Sequence, residues 1–202
     1  MNRNNKPSPG ILAALAATFL LLAACQPAAP KAQAPLSGAA IGGDFALVNS
    51  KEEIVRWDDF AGKYRIVYFG YTFCPDICPT DMQRVAQGLK LLKARDSGKA
   101  AKIVPIFITI DPERDTPKVV GEFAAAFSPD IIALTGTPEQ IAAVAKAFRV
   151  FYAKGEAVAG GGYLVDHSNI AYLFGPEGEP IATLPVDQGA EAVAAEIAKW
   201  VN

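Results

Sequence analysis

The chain has 202 residues but only one histidine and three cysteines, and no run of five like charges breaks its near balance of 19 basic and 21 acidic side chains. A surface so evenly charged, with a net charge of −2, lacks the basic stripe that a nucleic-acid ligand requires, and that class of partner is set aside. No segment repeats and no second linker follows residue 43, so residues 44–202 are expected to form one domain. With 51% hydrophobic residues that domain has material for a sizeable core, which argues against disorder. The one extended apolar stretch, Ile11 to Leu22, is too short to cross a bilayer comfortably as a mature helix.

That stretch reads instead as the centre of an export signal. Arg3 and Lys6 precede it and Leu22-Ala23-Ala24-Cys25 closes it, giving a basic head, an apolar middle and small residues before a cut. The closing tetrapeptide resembles the lipobox of bacterial lipoproteins, in which the cysteine becomes the lipid-bearing N-terminus. The expected organisation is therefore a signal peptide over residues 1–24, then Cys25 as the lipidation site with a flexible tether over 25–43, then the domain over 44–202. Such a chain is exported and held to a membrane, facing the periplasm or the cell exterior. The tether, "QPAAPKAQAPLSGAAIGG" after Cys25, is Ala, Pro and Gly with almost no large apolar group. In a PPII-like state, at roughly 3.1 Å per residue, it extends about 55 Å, enough to reach a membrane-embedded partner.

Within the domain, "RIVYFGYTF" (65–73) is rich in aromatic and β-branched residues and reads as a buried strand. From Thr80 the spacing turns helical, with Met82, Val85, Leu89 and Leu92 on one face and Gly98 as a stop. "IVPIFITI" (103–110) is a second strand, Thr116-Pro117 opens a helix, 131–134 is a short strand, and Thr137-Pro138-Glu139-Gln140 has the form of a capping box with an N1 proline. Beyond Val150–Ala153 come two strands, 170–174 and 181–184, around Gly175-Pro176-Glu177-Gly178, and a last helix over 191–200. Residues 155–169 are left as the one long insertion without regular structure. Parallel β-α units followed by an antiparallel hairpin and a helix predict an α/β thioredoxin-like fold, a mixed sheet flanked by helices.

Cys74 and Cys78, in "CPDIC", fall at the carboxyl end of a strand and the amino end of a helix, where open α/β sheets place their chemistry. Unpaired N–H groups and the helix dipole there favour thiolate, the form that attacks disulfides and binds metals. At near-helical spacing, Cβ atoms four residues apart are about 5–6 Å from each other, which permits either a disulfide or two sulfurs on one ion. A purely stabilising disulfide is the weaker reading, because so short a loop removes little entropy from the unfolded chain. His167 ends the long insertion, and in thioredoxin-like folds that insertion lies against the cysteine turn. A cis-proline usually stands there, yet residues 155–169 contain no proline. Two thiolates and one imidazole would make a soft set that suits Cu(I) and is acceptable to Zn(II) or Cu(II).

"YFGYTFCPDICPTDM", "DPERDTP" and "DHSNIAYLF", in that order and spacing, resemble the SCO/SenC family of copper-binding assembly factors for cytochrome c oxidase, over roughly Gly42 to Trp200. The resemblance implies a membrane-anchored thioredoxin-like domain outside the cytoplasmic membrane. Such a domain binds one copper through Cys74, Cys78 and His167 and serves the dinuclear copper site of oxidase subunit II or another copper acceptor. A metallochaperone of this kind also needs a copper-donor chaperone. Two features depart from the family pattern: a lipobox replaces the transmembrane helix of many members, and Gln26 stands where an aspartate would favour inner-membrane retention.

Asp76 and Asp166 are candidate supporting carboxylates, able to tune the thiols, orient the imidazole or lend an oxygen to Cu(II). Pro75 and Pro79 read as stiffeners of the turn, Tyr71 and Phe73 as packing or shielding groups, and Asp111 to Pro117 as mainly structural, with Thr116 as a cap. The alternative function is thiol-disulfide exchange, with Cys74 attacking a disulfide of an exported protein such as subunit II and Cys78 resolving the mixed disulfide. Peroxide reduction is disfavoured, because Tyr71 stands where a peroxiredoxin needs threonine.

Overall fold

β3 (Tyr64–Gly70) is buried along its whole length, as an unbroken aromatic and β-branched run should be in the interior of a sheet. In the computed structural model, which describes residues 33–157 and 162–202, it lies within a seven-stranded mixed sheet. β4 (Ile103–Thr109) pairs parallel to it, and β5 (Ile132–Thr135) parallel to β4. The flanks are antiparallel: β1 (Ala46–Asn49) and β2 (Ile54–Arg56) on one side, β8 (Ala171–Phe174) and β9 (Pro180–Leu184) on the other, in the order β2-β1-β5-β4-β3-β8-β9.

Five helices complete this unit: α1 (Ile77–Arg95), α2 (Ser97–Ala100), α3 (Pro117–Ala125), α4 (Pro138–Ala147) and α5 (Ala190–Trp200). Strand alternation assigns their faces. Tyr68 and Gly70 share one side of β3 with Phe107 on β4; Gly70 abuts Cys78 of α1, and the Phe107 ring lies 5.0 Å from Phe123 of α3. α5 joins this side through Gly88 of α1, where a Cβ would stand 2.7 Å from Val193. Phe69 points the opposite way, to Phe148 just past α4, within a cluster of edge-on rings that also holds Phe45, Trp57 and Phe174. The sheet is thus covered on both faces and the fold is thioredoxin-like, with the end of β3 delivering the chain into α1.

Caps form where the sequence placed them. Thr116 accepts from Val119 N–H ahead of α3, and Thr137 with Gln140 makes a reciprocal capping box ahead of α4. Four expectations are corrected. α1 begins at Ile77 rather than Thr80, so Cys78 lies in its first turn. It ends at Arg95 because Asp96 turns extended and caps α2, so Gly98 falls inside that next turn rather than acting as the stop. Residues 34–43, expected to belong to the tether, are part of the domain unit, where Leu36 N–H donates to Ile181 O at 2.9 Å. Finally, the described residues of 155–169 are not all irregular: β6 (Tyr152–Ala157) and β7 (Tyr163–His167) form a separate antiparallel ladder, with Tyr152 opposite His167. No proline marks it and Gly155 interrupts β6, which hid the strand pattern. No helix among the described residues is long and apolar enough to cross a membrane; the export signal and Cys25 lie outside the described residues.

Candidate metal centre

The chain leaves β3 at Gly70 and turns through residues 71–76 into α1, so both thiols stand over the first turn of a helix whose N–H groups lack helical acceptors. Asp76 occupies the cap position, yet its side chain makes no capping bond. Cys74 fills that role: its sulfur accepts from Cys78 N–H at 3.5 Å. Burial alone would push the half-exposed Cys74 thiol up, but the N–H groups of Asp76, Cys78 and Ile77 outweigh it and hold the thiol below its ordinary value. Cys78 is the reverse case. Fully buried, its thiol is pushed far up by desolvation, against a smaller opposing effect from Tyr71 N–H.

Its sulfur sits in a fitted space. A Cβ at Gly70 would stand 2.8 Å from Cys78 Sγ, 2.9 Å from the Tyr68 ring and 3.2 Å from Phe107, so only glycine leaves room there. Gly70→Ala is therefore expected to destabilise the domain by about 1–3 kcal/mol through overpacking, measured as a lower denaturant midpoint; an unchanged midpoint would contradict this tight floor. Beneath the sulfur, Tyr68 donates its hydroxyl to buried Asp81 at 3.1 Å, one helical turn beyond Cys78.

His167 arrives from β7. Alternation puts Tyr163, Val165 and His167 on one face of that strand and Leu164 and Asp166 on the other, so a register slip of one residue would turn the imidazole outward. The inward face is pinned midway by Val165 N–H, which donates to the Tyr71 hydroxyl at 3.2 Å. The Tyr71 and His167 rings meet edge to face, 5.8 Å apart. His167 Nδ1 lies 3.0 Å from Ser168 O, and because a carbonyl can only accept, the neutral ring carries its proton on Nδ1. Nε2 is left with a free lone pair, 3.2 Å from Cys78 Sγ.

The three donor atoms all lie within 4.8 Å of one another. Two donors bonded to one ion at about 2.0–2.3 Å stand roughly 3.5–4 Å apart, which the observed spacings bracket. The sequence-predicted trio is therefore brought together, while the candidate carboxylates are not. Asp76 and Asp166 are both exposed, and the imidazole is oriented by the Ser168 carbonyl rather than by Asp166. Sequence reasoning missed Tyr68, Asp81 and Ser168; of these only Tyr68 carried a signal, sharing strand parity with Gly70.

It also read too little into 111–117. Asp115, fully buried, accepts from Thr72 N at 3.0 Å, Thr72 Oγ1 at 2.6 Å and Thr109 Oγ1 at 2.5 Å, tying the cysteine turn to the end of β4. Phe73 is exposed and Tyr71 buried, so only the second shields the centre.

A profile of the SCO1/SenC family matches residues 33–202. The chain belongs to the SCO1/SenC family. Among family members, the mitochondrial SCO1 homolog 1 of Arabidopsis thaliana is 44% identical over 146 residues, 72% of this chain and 42% of that protein. The SCO2-like protein of Rickettsia felis is 36% identical over 195 residues, covering 91% of this chain and 89% of the relative. The crystal structure of Arabidopsis thaliana ScoI with copper bound superimposes with a TM-score of 0.73 at 37% identity, covering 79% of this chain and 98% of that one. The chain spans about half the length of the mitochondrial relatives it matches.

Proposed function

We propose that this chain is a copper metallochaperone in which Cys74, Cys78 and His167 hold one copper ion, received from a donor chaperone and passed to the dinuclear site of cytochrome c oxidase subunit II or another acceptor. The observation that carries this reading is the convergence of two thiols and an imidazole whose Nε2 lone pair faces the sulfurs. Two sulfurs and a neutral imidazole are a set that a soft cation prefers over Mg(II) or Ca(II). The copper-bound ScoI relative supports copper as the ion. Export with lipid attachment at Cys25 would place the domain outside the cytoplasmic membrane, where the acceptor's copper site is assembled.

The residues divide the work. Cys74, half-exposed and stabilised as thiolate by the helix N–H groups, is the sulfur an incoming or departing ion meets first. Cys78, buried and thiol-favouring, must release its proton when it becomes a ligand, so loading releases protons to solvent. His167 closes the set from a strand outside the main sheet, and its withdrawal would reduce the coordination number and open the ion to an acceptor's ligands. Titrated anaerobically with Cu(I) under a competing chelator, the full chain in detergent, with Cys25→Ser leaving two thiols, is expected to retain one equivalent. Retention of none would refute this reading.

The thiol asymmetry also supports a second reading, dithiol exchange. The Cys74 thiolate attacks a partner disulfide to form a mixed disulfide, and Cys78 then displaces the partner thiol. This leaves a Cys74–Cys78 disulfide, with two electrons and two protons delivered to the partner.

A further inference from the structure

β6 and β7 form a ladder that shares no strand pairing with the main sheet, so some other contact must fix where His167 stands. Beside the Val165–Tyr71 bond midway along the strand, those contacts gather at the start of β7, roughly 13 Å from His167 at about 3.3 Å per residue. There the Tyr163 hydroxyl donates to Asp111 Oδ1 at 2.6 Å and lies 3.2 Å from Glu113 Oε2. Arg114 binds the same corner from the other side: Nη1 donates to Tyr163 O at 2.9 Å, Nε donates to Asp111 Oδ2 at 2.5 Å, and the guanidinium lies 3.7 Å from the Tyr163 ring centre. Its central carbon also lies 4.9 Å from the Phe73 ring centre and 5.7 Å from that of Tyr71, both on the cysteine turn. β6 is held as well, through Lys154, which pairs with Glu113 at 2.7 Å.

Arg114 therefore touches both halves of the metal centre, the strand that carries His167 and the turn that carries Cys74, without touching any of the three donors. Three residues before Arg114 in this motif, Asp111 supplies both oxygens to the clasp, while Asp115, one residue later than Arg114, fastens the cysteine turn through Thr72. The guanidinium's Nη2 is buried with no acceptor among the described residues. The guanidinium carbon stands over three aromatic faces, an arrangement that a planar delocalised cation tolerates better than an ammonium.

We propose that Arg114, with Tyr163 and Asp111, is a positioning latch that docks the β6–β7 ladder and thereby sets the distance of His167 from Cys74 and Cys78. This rests on the reading of those three residues as copper ligands. Release of the latch frees the imidazole while leaving both thiols in place, so the grip on the ion weakens without loss of the pair that carries it.

The test uses the full chain in detergent, with Cys25→Ser, and Arg114→Gln. Hydrogen–deuterium exchange of the metal-free protein is expected to show amides of 163–167 exchanging at least ten-fold faster, with α1, β3 and β4 unchanged. Cu(I) retention under a competing chelator is expected to fall about 10-fold, the scale typical of losing a group that orients a ligand, and to show no further fall when Arg114→Gln is added to His167→Ala. Unchanged exchange in 163–167, or equal weakening in both backgrounds, would overturn the latch. If the parent chain holds no copper, the function proposed above fails, and the exchange measurement alone still decides whether the latch exists. Tyr163→Phe, which keeps the ring and removes only the hydroxyl bonds, carries the same two measurements should Arg114→Gln fail to fold.

Discussion

Replacing His167 by alanine is expected to lower Cu(I) retention by more than about 100-fold, beyond the 10–100-fold typical of losing a group that merely orients a ligand. Dithiol oxidation should remain largely intact. The reasoning is geometric. Nε2 is the one nitrogen donor of the trio, it faces Cys78 Sγ at 3.2 Å, and the Ser168 carbonyl fixes the tautomer that leaves it unprotonated. Two thiolates alone would still bind, but with one bond fewer and with water free to enter. The same variant separates the two functional readings, because dithiol exchange has no use for the imidazole. Intact copper retention with lost disulfide exchange would reverse their order.

Asp115→Ala is expected to be the most damaging substitution outside the donors. It strips the acceptor from Thr109 Oγ1, which is fully buried, and from the half-buried Thr72 N and Oγ1. Unsatisfied buried groups cost about 1–3 kcal/mol each; with local relaxation a total near 3 kcal/mol is expected. At about 2–4 °C per kcal/mol for a domain of this size, thermal unfolding should begin roughly 6–12 °C lower. Burial pushes the Asp115 carboxyl up, opposed by its bonds to Thr109 and Thr72, so the acid is held by its donors rather than by solvation. A melting temperature unchanged by the substitution would show that the cysteine turn is held by something else.

Much of this was legible in the residues. Strand, thiol pair and helix were visible because burial on both faces of a sheet demands an unbroken apolar run, and caps such as Thr116 and Thr137 announce themselves by type and spacing. The role of Cys78 as part of the helix rather than of the turn was not, because helix onset depends on an acceptor for the first N–H groups, and here that acceptor is a sulfur. The β6–β7 ladder escaped notice since both strands are partly exposed, β6 is interrupted by Gly155 and β7 is only five residues long. Asp115 was hidden for a different reason. Its partners, Thr72 and Thr109, come from separate segments that meet only in the folded chain, and one of three acids in a polar heptapeptide carries no local mark of that role.

Asp166 shows the limit of adjacency in sequence. It sits next to the histidine, yet strand alternation turns it to the opposite face, and the neighbour that orients the ring is the Ser168 backbone, which no side-chain pattern encodes.

The central claim is that one ion is held by a sulfur from the β3–α1 turn, a sulfur from the first turn of α1 and one nitrogen from β7. X-ray absorption at the copper edge, on the Cu(I)-loaded full chain with Cys25→Ser, tests it most directly. Two copper–sulfur contacts and one imidazole nitrogen are expected, with the imidazole signature gone in His167→Ala. A sulfur-only shell, identical in the parent and in the variant, would contradict it.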